Sequence, residues 1–226
     1  MAGESEVSAA QAWSSSRRLP VPEVRDYHQI NRRVTQWLDA GVGHVVLEGV
    51  ERQRLLLAGL RGDWAAVVEV RGQAGPELAA ELNAPNLLVV AQAGVDDGAG
   101  RGLTAGSLIV RGDCGAGLGY RQAGGIILAC GGVGPRLGLE QRGGVLIALG
   151  SVDWLAGERQ RGGSIWLPGA SQPRLAGRGQ VAGRLVAGSR SPEWIDLAER
   201  TLRPLATRFR DVVPWLGSVL DAAAGA

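Results

Sequence analysis

The chain has 226 residues, and its 24 basic and 22 acidic side chains leave a formal net charge of +2 that calls for no nucleic-acid or anionic-membrane partner. Every basic residue is arginine, which excludes a Walker-type phosphate loop and catalysis through a lysine Schiff base. With Cys114, Cys130, His28 and His44 as the whole thiol and imidazole inventory, a four-cysteine zinc or iron–sulfur site is excluded as well.

The first residues are polar and small, without the apolar core of a secretion signal. We expect a disordered tail over residues 1–22 and a cytoplasmic protein. Its two cysteines, Cys114 and Cys130, are then buried thiols rather than a disulfide. No window approaches the roughly 20 uninterrupted apolar residues of a membrane helix, so no membrane partner is expected.

A helix is predicted directly after this tail. Asp26 with Gln29 three residues later is typical of a capping box, and apolar residues then recur at helical spacing until Gly41. These apolar residues are Tyr27, Ile30, Val34, Trp37 and Leu38. Two short strands, His44–Leu47 and Arg54–Leu57, are predicted to lead the chain into the next region.

The middle of the chain is an internal repeat. Five segments begin at residues 72, 92, 112, 131 and 150, and a fainter sixth copy covers 169–188. Two sets of glycines recur at matching positions, and the second set begins short apolar runs. The sets are Gly119, Gly138 and Gly157, and then Gly125, Gly144 and Gly163.

Short apolar strands that return every 19 or 20 residues stack in parallel, with neighbours about 4.8 Å apart. Glycine permits left-handed backbone and close stacking at the corners, and parallel crossovers are overwhelmingly right-handed. The sequence therefore predicts an all-β fold over 23–188, a right-handed parallel β-helix of about six to seven rungs with flanking α-helices. A rung is one full turn of the β-helix. Valine at Gly138 or Gly157 is expected to cost a few kcal/mol.

Three glutamines support this register, because Gln122, Gln141 and Gln160 each follow a repeat glycine by three residues. Stacked amides hydrogen-bond along such a column. Arg142 and Arg161 stack one position later. This stripe is either a solvated structural edge or a surface that faces an anion or a partner.

Residues 189–226 are predicted to form a helical tail. Ser191 and Pro192 suit the N-cap and first helical position, and Pro204 and Pro214 break or kink the tail. One apolar side is formed by Trp194, Leu197, Leu202, Leu205, Phe209, Val213 and Leu216. The tail either caps an open end of the β-helix or docks on a partner.

Carboxylates in the repeat are the candidate catalytic groups, because polysaccharide-cleaving β-helices place such groups on adjacent rungs. They are Asp97, Asp113, Glu140 and Asp153. In the predicted register they occupy different positions of the rung, so no two of them stack. His28 and His44 lie away from any obvious nucleophile. We therefore predict no catalytic, cofactor-binding or metal-binding residue.

The run VRDYHQINRRV, the later GLRGDW and the glycine rungs together resemble the C-terminal GXGXG domain of the glutamate synthase large subunit, over about residues 24–169. The sequence is most similar to stand-alone chains that carry only this domain. It departs from the pattern at Ala79 and Pro85, and the tail from residue 190 has no counterpart. The same rung also builds one component of formylmethanofuran dehydrogenase and one component of N-methylglutamate synthase.

This resemblance implies a right-handed β-helix that acts as a non-catalytic spacer, with FMN and iron–sulfur clusters on partner chains. The first hypothesis is thus a scaffold subunit of a glutamate-synthase-like oxidoreductase complex, whose other protein subunits are the partners. The identity of those partner chains tests it. The alternative is the equivalent subunit of a formylmethanofuran dehydrogenase or formyltransferase/hydrolase complex. A third hypothesis is a self-contained hydrolase, which loses turnover when Asp97, Asp113 and Asp153 are replaced by alanine.

Overall fold

The structure, a computed structural model, describes residues 15–23, 26–167, 173–187 and 191–224. One sheet contains nine parallel strands, and each strand pairs with the next along the chain. The strands are Ser16–Pro20 (β1), His44–Glu48 (β2), Ala66–Val70 (β3), Asn83–Ala91 (β4), Ala105–Val110 (β5), Ala123–Ala129 (β6), Arg142–Ala148 (β7), Arg161–Leu167 (β8) and Ala182–Ala187 (β9). The chain completes about seven turns, which confirms the predicted parallel β-helix.

The 19-residue spacing sets the register between rungs. Ile127 pairs with Leu146, and Leu146 pairs with Ile165, so equivalent side chains stack inside the solenoid. A second face carries a shorter parallel ladder of single bridges through Ala74, Val95, Cys114, Val133 and Val152. All of these side chains belong to one buried apolar cluster that runs along the axis. Burial of this column is the main source of stability.

The repeat glycines adopt the backbone that the sequence predicts. Gly138 and Gly157 have φ of +63° and +68°, and Gly144 has φ of +75°. At Gly144 an added Cβ would lie 2.5 Å from the carbonyl oxygen of Gly124 on the preceding rung. Glycine is therefore needed there both for its backbone conformation and for the close approach of two rungs.

The predicted amide column is present, but it is not a solvated edge. Gln122, Gln141 and Gln160 are fully buried, at 0% exposure. The amide nitrogen of Gln141 donates to the side-chain oxygen of Gln122 at 3.0 Å, and that of Gln160 donates to the side-chain oxygen of Gln141 at 2.9 Å. Gln180 extends the column by one rung at 2.9 Å. The column is thus an internal polar spine that satisfies its own hydrogen bonds, while Arg142 and Arg161 beside it are exposed.

The N-terminal end is covered by helix α1, Tyr27–Asp39. Asp26 caps it by accepting a hydrogen bond from the backbone N–H of His28, but Gln29 bonds to the Asp26 carboxylate rather than to its backbone. The side chain of Asn31, in α1, binds the turn that follows β2: it donates a hydrogen bond to the carbonyl of Leu55 and accepts one from the N–H of Leu57. The buried side chains of α1, Ile30, Val34 and Leu38, belong to the inner apolar cluster, so this helix closes the first rung.

The strand predicted at Arg54–Leu57 is wrong. Those residues form a turn in which Leu55 and Leu57 have φ of +58° and +59°, which is incompatible with a strand. This turn is the first-rung equivalent of the glycine corners, built from leucines instead. The strand predicted at His44–Leu47 is confirmed as β2.

The sheet also begins earlier than the sequence predicts. Ser16–Pro20, placed within the disordered tail, form β1, which pairs in parallel with β2 from Ser16 to Pro20. A short 3₁₀ helix at Val21–Glu23 follows. Residues 1–14 of the predicted tail lie outside the described residues.

The C-terminal tail forms helices α2 (Pro192–Thr201), α3 (Arg203–Arg208) and α4 (Trp215–Ala224). Ser191 caps α2, and Pro204 and Pro214 stand where α3 and α4 begin, as predicted. These helices pack on the outer face of the sheet rather than on an open end. The apolar contact joins sheet residues Val90, Ile109, Leu128, Ile147 and Trp166 to helix residues Trp194, Leu197, Leu202, Phe209, Val213 and Leu216.

Candidate functional site

The four candidate carboxylates do not converge. In the bridge ladder, Asp113 immediately precedes the Cys114 position, and Asp153 immediately follows the Val152 position, so they lie in different columns. Asp97 accepts the backbone N–H of Ala116 at 2.8 Å. Asp113 likewise accepts the N–H of Gly132 at 2.8 Å. These two carboxylates tie successive rungs together.

Glu140 belongs to the opposite corner, where charges alternate from rung to rung. It accepts a hydrogen bond from Arg121 at 2.8 Å, and Arg159 lies 4.0 Å away on the next rung. The hydrogen bond from Arg121 lowers the pKa of Glu140 below its ordinary value. The neighbouring Arg142 and Arg161 have no ion pair among the described residues, so this corner carries excess positive charge.

Both cysteines are free thiols, with Cys114 buried and Cys130 half-buried. Burial raises the pKa of Cys114 to about 12, and the Asp113 carboxylate adds to that effect. Burial also raises the pKa of Cys130 to about 11. Since the thiolate is the reactive form, neither side chain has the character of a nucleophile or a redox centre.

We expect Ellman's reagent to react slowly with the folded chain at pH 8, because almost no thiolate is present at either cysteine. Unfolding in guanidinium should release both thiols at the rate of free cysteine. Time courses at 412 nm with and without denaturant measure the difference. Rapid reaction of the folded chain would contradict the burial of these groups.

A charged network that the sequence did not reveal lies on the outer face of β2–β4. The Glu69 carboxylate is only 4% exposed, and its Oε1 lies 2.9 Å from Nε2 of His44. Its Oε2 accepts hydrogen bonds from Arg71 and Gln92, each at 3.2 Å. Burial raises the pKa of Glu69, but the hydrogen bond and charge of His44 and the charge of Arg71 outweigh it, so the pKa lies below its ordinary value.

The Glu69 network ties the outer face of β2 and β3 to the residue that follows β4. In the described part of the chain, the ring of His44 has no hydrogen bond to a serine or cysteine side chain, so the pair lacks a nucleophile. In the sequence, the only sign of this network is the single acidic residue in the apolar run AVVEV. Strand alternation directs the Glu69 side chain away from the solenoid interior.

Glu69→Gln is expected to destabilise the fold by about 2 kcal/mol at pH 7, because His44 and Arg71 lose a buried charged acceptor. The folded-state pKa of Glu69 is lowered, so its contribution is present at neutral pH and is lost as pH falls below about 4.5. Urea titrations at pH 7 and pH 4 should show the difference from wild type shrinking. Glu48→Gln, at a more exposed ion pair, should cost about 0.5 kcal/mol, and equal costs would contradict this assignment.

Across the described ranges, no three His, Cys, Asp or Glu side chains come together as a metal site. Within the same ranges no helix is both long and apolar enough to cross a bilayer. The carboxylates and thiols described above thus take part in rung-to-rung hydrogen bonds, ion pairs or the core.

The last rung, residues 173–187, ends the sheet at β9 and is the most exposed apolar part of the solenoid. Leu175 and Val181 are 59% and 80% exposed. Arg174 and Arg178 lie exposed on the same rung, and neither has an ion pair in the described part of the chain. Ala176, Leu185, Val186 and Ala187 line a shallow depression of about 390 Å³ there.

Comparison with known proteins supports the fold class. No family model matches the chain, and no curated protein matches it. A crystal structure of the formyltransferase/hydrolase complex from Methylorubrum extorquens, in complex with methylofuran, contains a chain of similar fold. The TM-score is 0.59 at 23% identity, and the match spans 72% of this chain and 66% of that chain. At this identity the likeness establishes a shared fold, and the similar chain is part of a multi-subunit complex.

Proposed function

We propose that this chain is a scaffold subunit of a multi-subunit complex of the formyltransferase/hydrolase kind, with the catalytic residues on other chains. The likeness in fold to a chain of such a complex carries the proposal. The proposal includes the corresponding subunit of a formylmethanofuran dehydrogenase complex, which would have the same scaffold role. A rigid solenoid suits this role, since each rung is fixed by the rungs on either side.

The hydrogen bonds of the buried and repeat polar side chains support the scaffold role. Asp97 and Asp113 bond to the backbone of the next rung, and the Glu69 carboxylate is held by the His44 ring and the Arg71 guanidinium. The amide column is buried inside the solenoid. These groups are engaged in holding rungs together, which favours a structural contribution over the independent hydrolase.

A second candidate is a scaffold subunit of a glutamate-synthase-like oxidoreductase complex, in which FMN and iron–sulfur clusters belong to partner chains. The run VRDYHQINRRV and the later GLRGDW favour it. From Asp26 onward these motifs build the cap and the first rung, where Asn31 accepts a hydrogen bond from the N–H of Leu57 and Trp64 donates one to Asp39. Both candidates share the scaffold role and differ in the partner chains.

Affinity purification of the tagged full-length chain at native expression, followed by mass spectrometry and a visible spectrum, tests the proposal. We expect a colourless complex that contains formyl-transferring and hydrolytic chains. A yellow-brown complex with a flavin-binding synthase chain and an amidotransferase would overturn it in favour of the second candidate. A chain that purifies alone would contradict both.

A further inference from the structure

We propose that the last rung, at β9, binds an extended acidic segment of a different protein chain, which adds to the sheet as a further strand. This inference rests on the proposed function, because a scaffold subunit needs a surface for its partner. Three observations on the same rung carry it: unfilled backbone positions, exposed apolar side chains and arginines without ion pairs.

The backbone positions follow from the rung-to-rung pattern. The N–H groups of Leu155 and Arg159 donate to the carbonyls of Arg174 and Arg178 on the last rung, both at 2.8 Å. The equivalent groups on the last rung are the N–H groups of Leu175 and Gly179, and the described chain provides no further rung to accept from them. These two groups lie in the turn that precedes β9. β9 itself is the last strand of the sheet and pairs only with β8 in the described ranges. An unpaired sheet edge of this kind is a template for strand addition.

The interior of the solenoid is also incomplete at this end. Gln180 donates to Gln160 and to the carbonyl of Gly183, and within the described ranges no amide donates to its own side-chain oxygen. Leu185 and Ala187 belong to the inner column but are only half-buried. An added strand would bury them together with Leu175 and Val181, as each rung covers the one before it.

The positive charge around the last rung favours an acidic segment as the added strand. Residues 115–187 contain eight arginines against three carboxylates, whereas residues 44–114 contain six arginines against nine carboxylates. Arg174 and Arg178 add exposed positive charge directly at the rim of the last rung. Carboxylates on the added strand would pair with these guanidinium groups, which favour carboxylate geometry.

A second copy of this chain does not fit this description. Two last rungs brought together would oppose Arg174 and Arg178 with the same residues. At the other end, β1 carries exposed Arg17 and Arg18, and Pro20 has no N–H to donate. Two last rungs therefore repel each other, and β1 offers no carboxylate of its own to the last rung of another copy, since its Arg18 already pairs with Glu48. The complementary partner is a different, acidic chain.

The test places a photoreactive benzoylphenylalanine at position 181 of the full-length chain, expressed in the native host. Irradiation of the purified complex and mass spectrometry then identify the cross-linked peptide. Arg174→Glu with Arg178→Glu should lower the cross-link yield at least tenfold. Arg32→Glu with Arg33→Glu, two exposed arginines on α1, makes the same charge change at the other end and should leave the yield unchanged. If the first double variant does not fold, glutamine at both positions replaces glutamate.

A cross-link to another chain, within a segment rich in Asp and Glu, and its loss in the Arg174 and Arg178 variant support the inference. A cross-link to a second copy, to a basic segment or to nothing overturns it, as does an unchanged yield in that variant. The proposed function is judged separately, by which chains the complex contains. Formyl-transfer chains attached through another surface would refute only this inference.

Discussion

Gly144→Ala is expected to destabilise the β-helix by about 4 kcal/mol. The residue has φ of +75°, and the new Cβ would lie 2.5 Å from the carbonyl oxygen of Gly124. The left-handed backbone costs an alanine about 1–2 kcal/mol, and the clash with a backbone atom that stacking holds in place adds the rest. Urea-induced unfolding followed by circular dichroism measures the loss.

Gly117→Ala is the matched control, because Gly117 has φ of +70° and an added Cβ would meet nothing within 4 Å. It should cost only about 1 kcal/mol. Gly138→Ala should fall between the two, since its Cβ would lie 2.6 Å from the movable side-chain end of Ile165. Equal costs at all three positions would contradict the rung contacts described here, as would unchanged melting of valine variants at Gly138 and Gly157.

Gln141→Glu is expected to cost about 3 kcal/mol or more at pH 7. The amide of Gln141 donates to Gln122 and accepts from Gln160, and a carboxylate of the same shape would turn the first contact into a repulsion between oxygens. The buried charge has no cation beside it in the column. Chemical unfolding at several pH values measures the effect.

The pH dependence of Gln141→Glu separates charge from shape. The pKa of a buried carboxyl beside other oxygens is raised in the folded state, so the variant regains stability as pH falls and loses it as pH rises. Gln180→Glu, at the exposed end of the same column, should cost much less. If both variants lose the same stability at every pH, the buried column is not the cause.

The fold was predictable because its strongest signal is periodic. Glycine and glutamine recur at 19 residues, and the register found between Ile127, Leu146 and Ile165 has the same spacing. The first rung was harder, because Leu55 and Leu57 replace the corner glycines and imitate a strand. β1 was missed because five mostly polar residues carry little signal until β2 is there to pair with them.

Surfaces were less predictable than the fold, because they depend on which sides of the sheet meet. Trp194 and Phe209 were correctly placed on one apolar side of the tail, yet only the structure shows that the partner is the outer sheet face. Burial of Gln141 could not be inferred from spacing, since a repeated amide fits an inner or an outer column equally well. The buried pair of Glu69 and His44 could not be predicted either, because the two residues are 25 positions apart and meet only when β2 and β3 pair.

The decisive measurement compares formyl transfer and hydrolysis by three preparations: the complex purified from the native host, the isolated chain, and the partner chains assembled without it. We predict that the complex is active, that the isolated chain has no turnover, and that the partner chains fail to assemble when it is omitted. Turnover by the isolated chain would contradict the scaffold role, and so would partner chains that assemble fully without it.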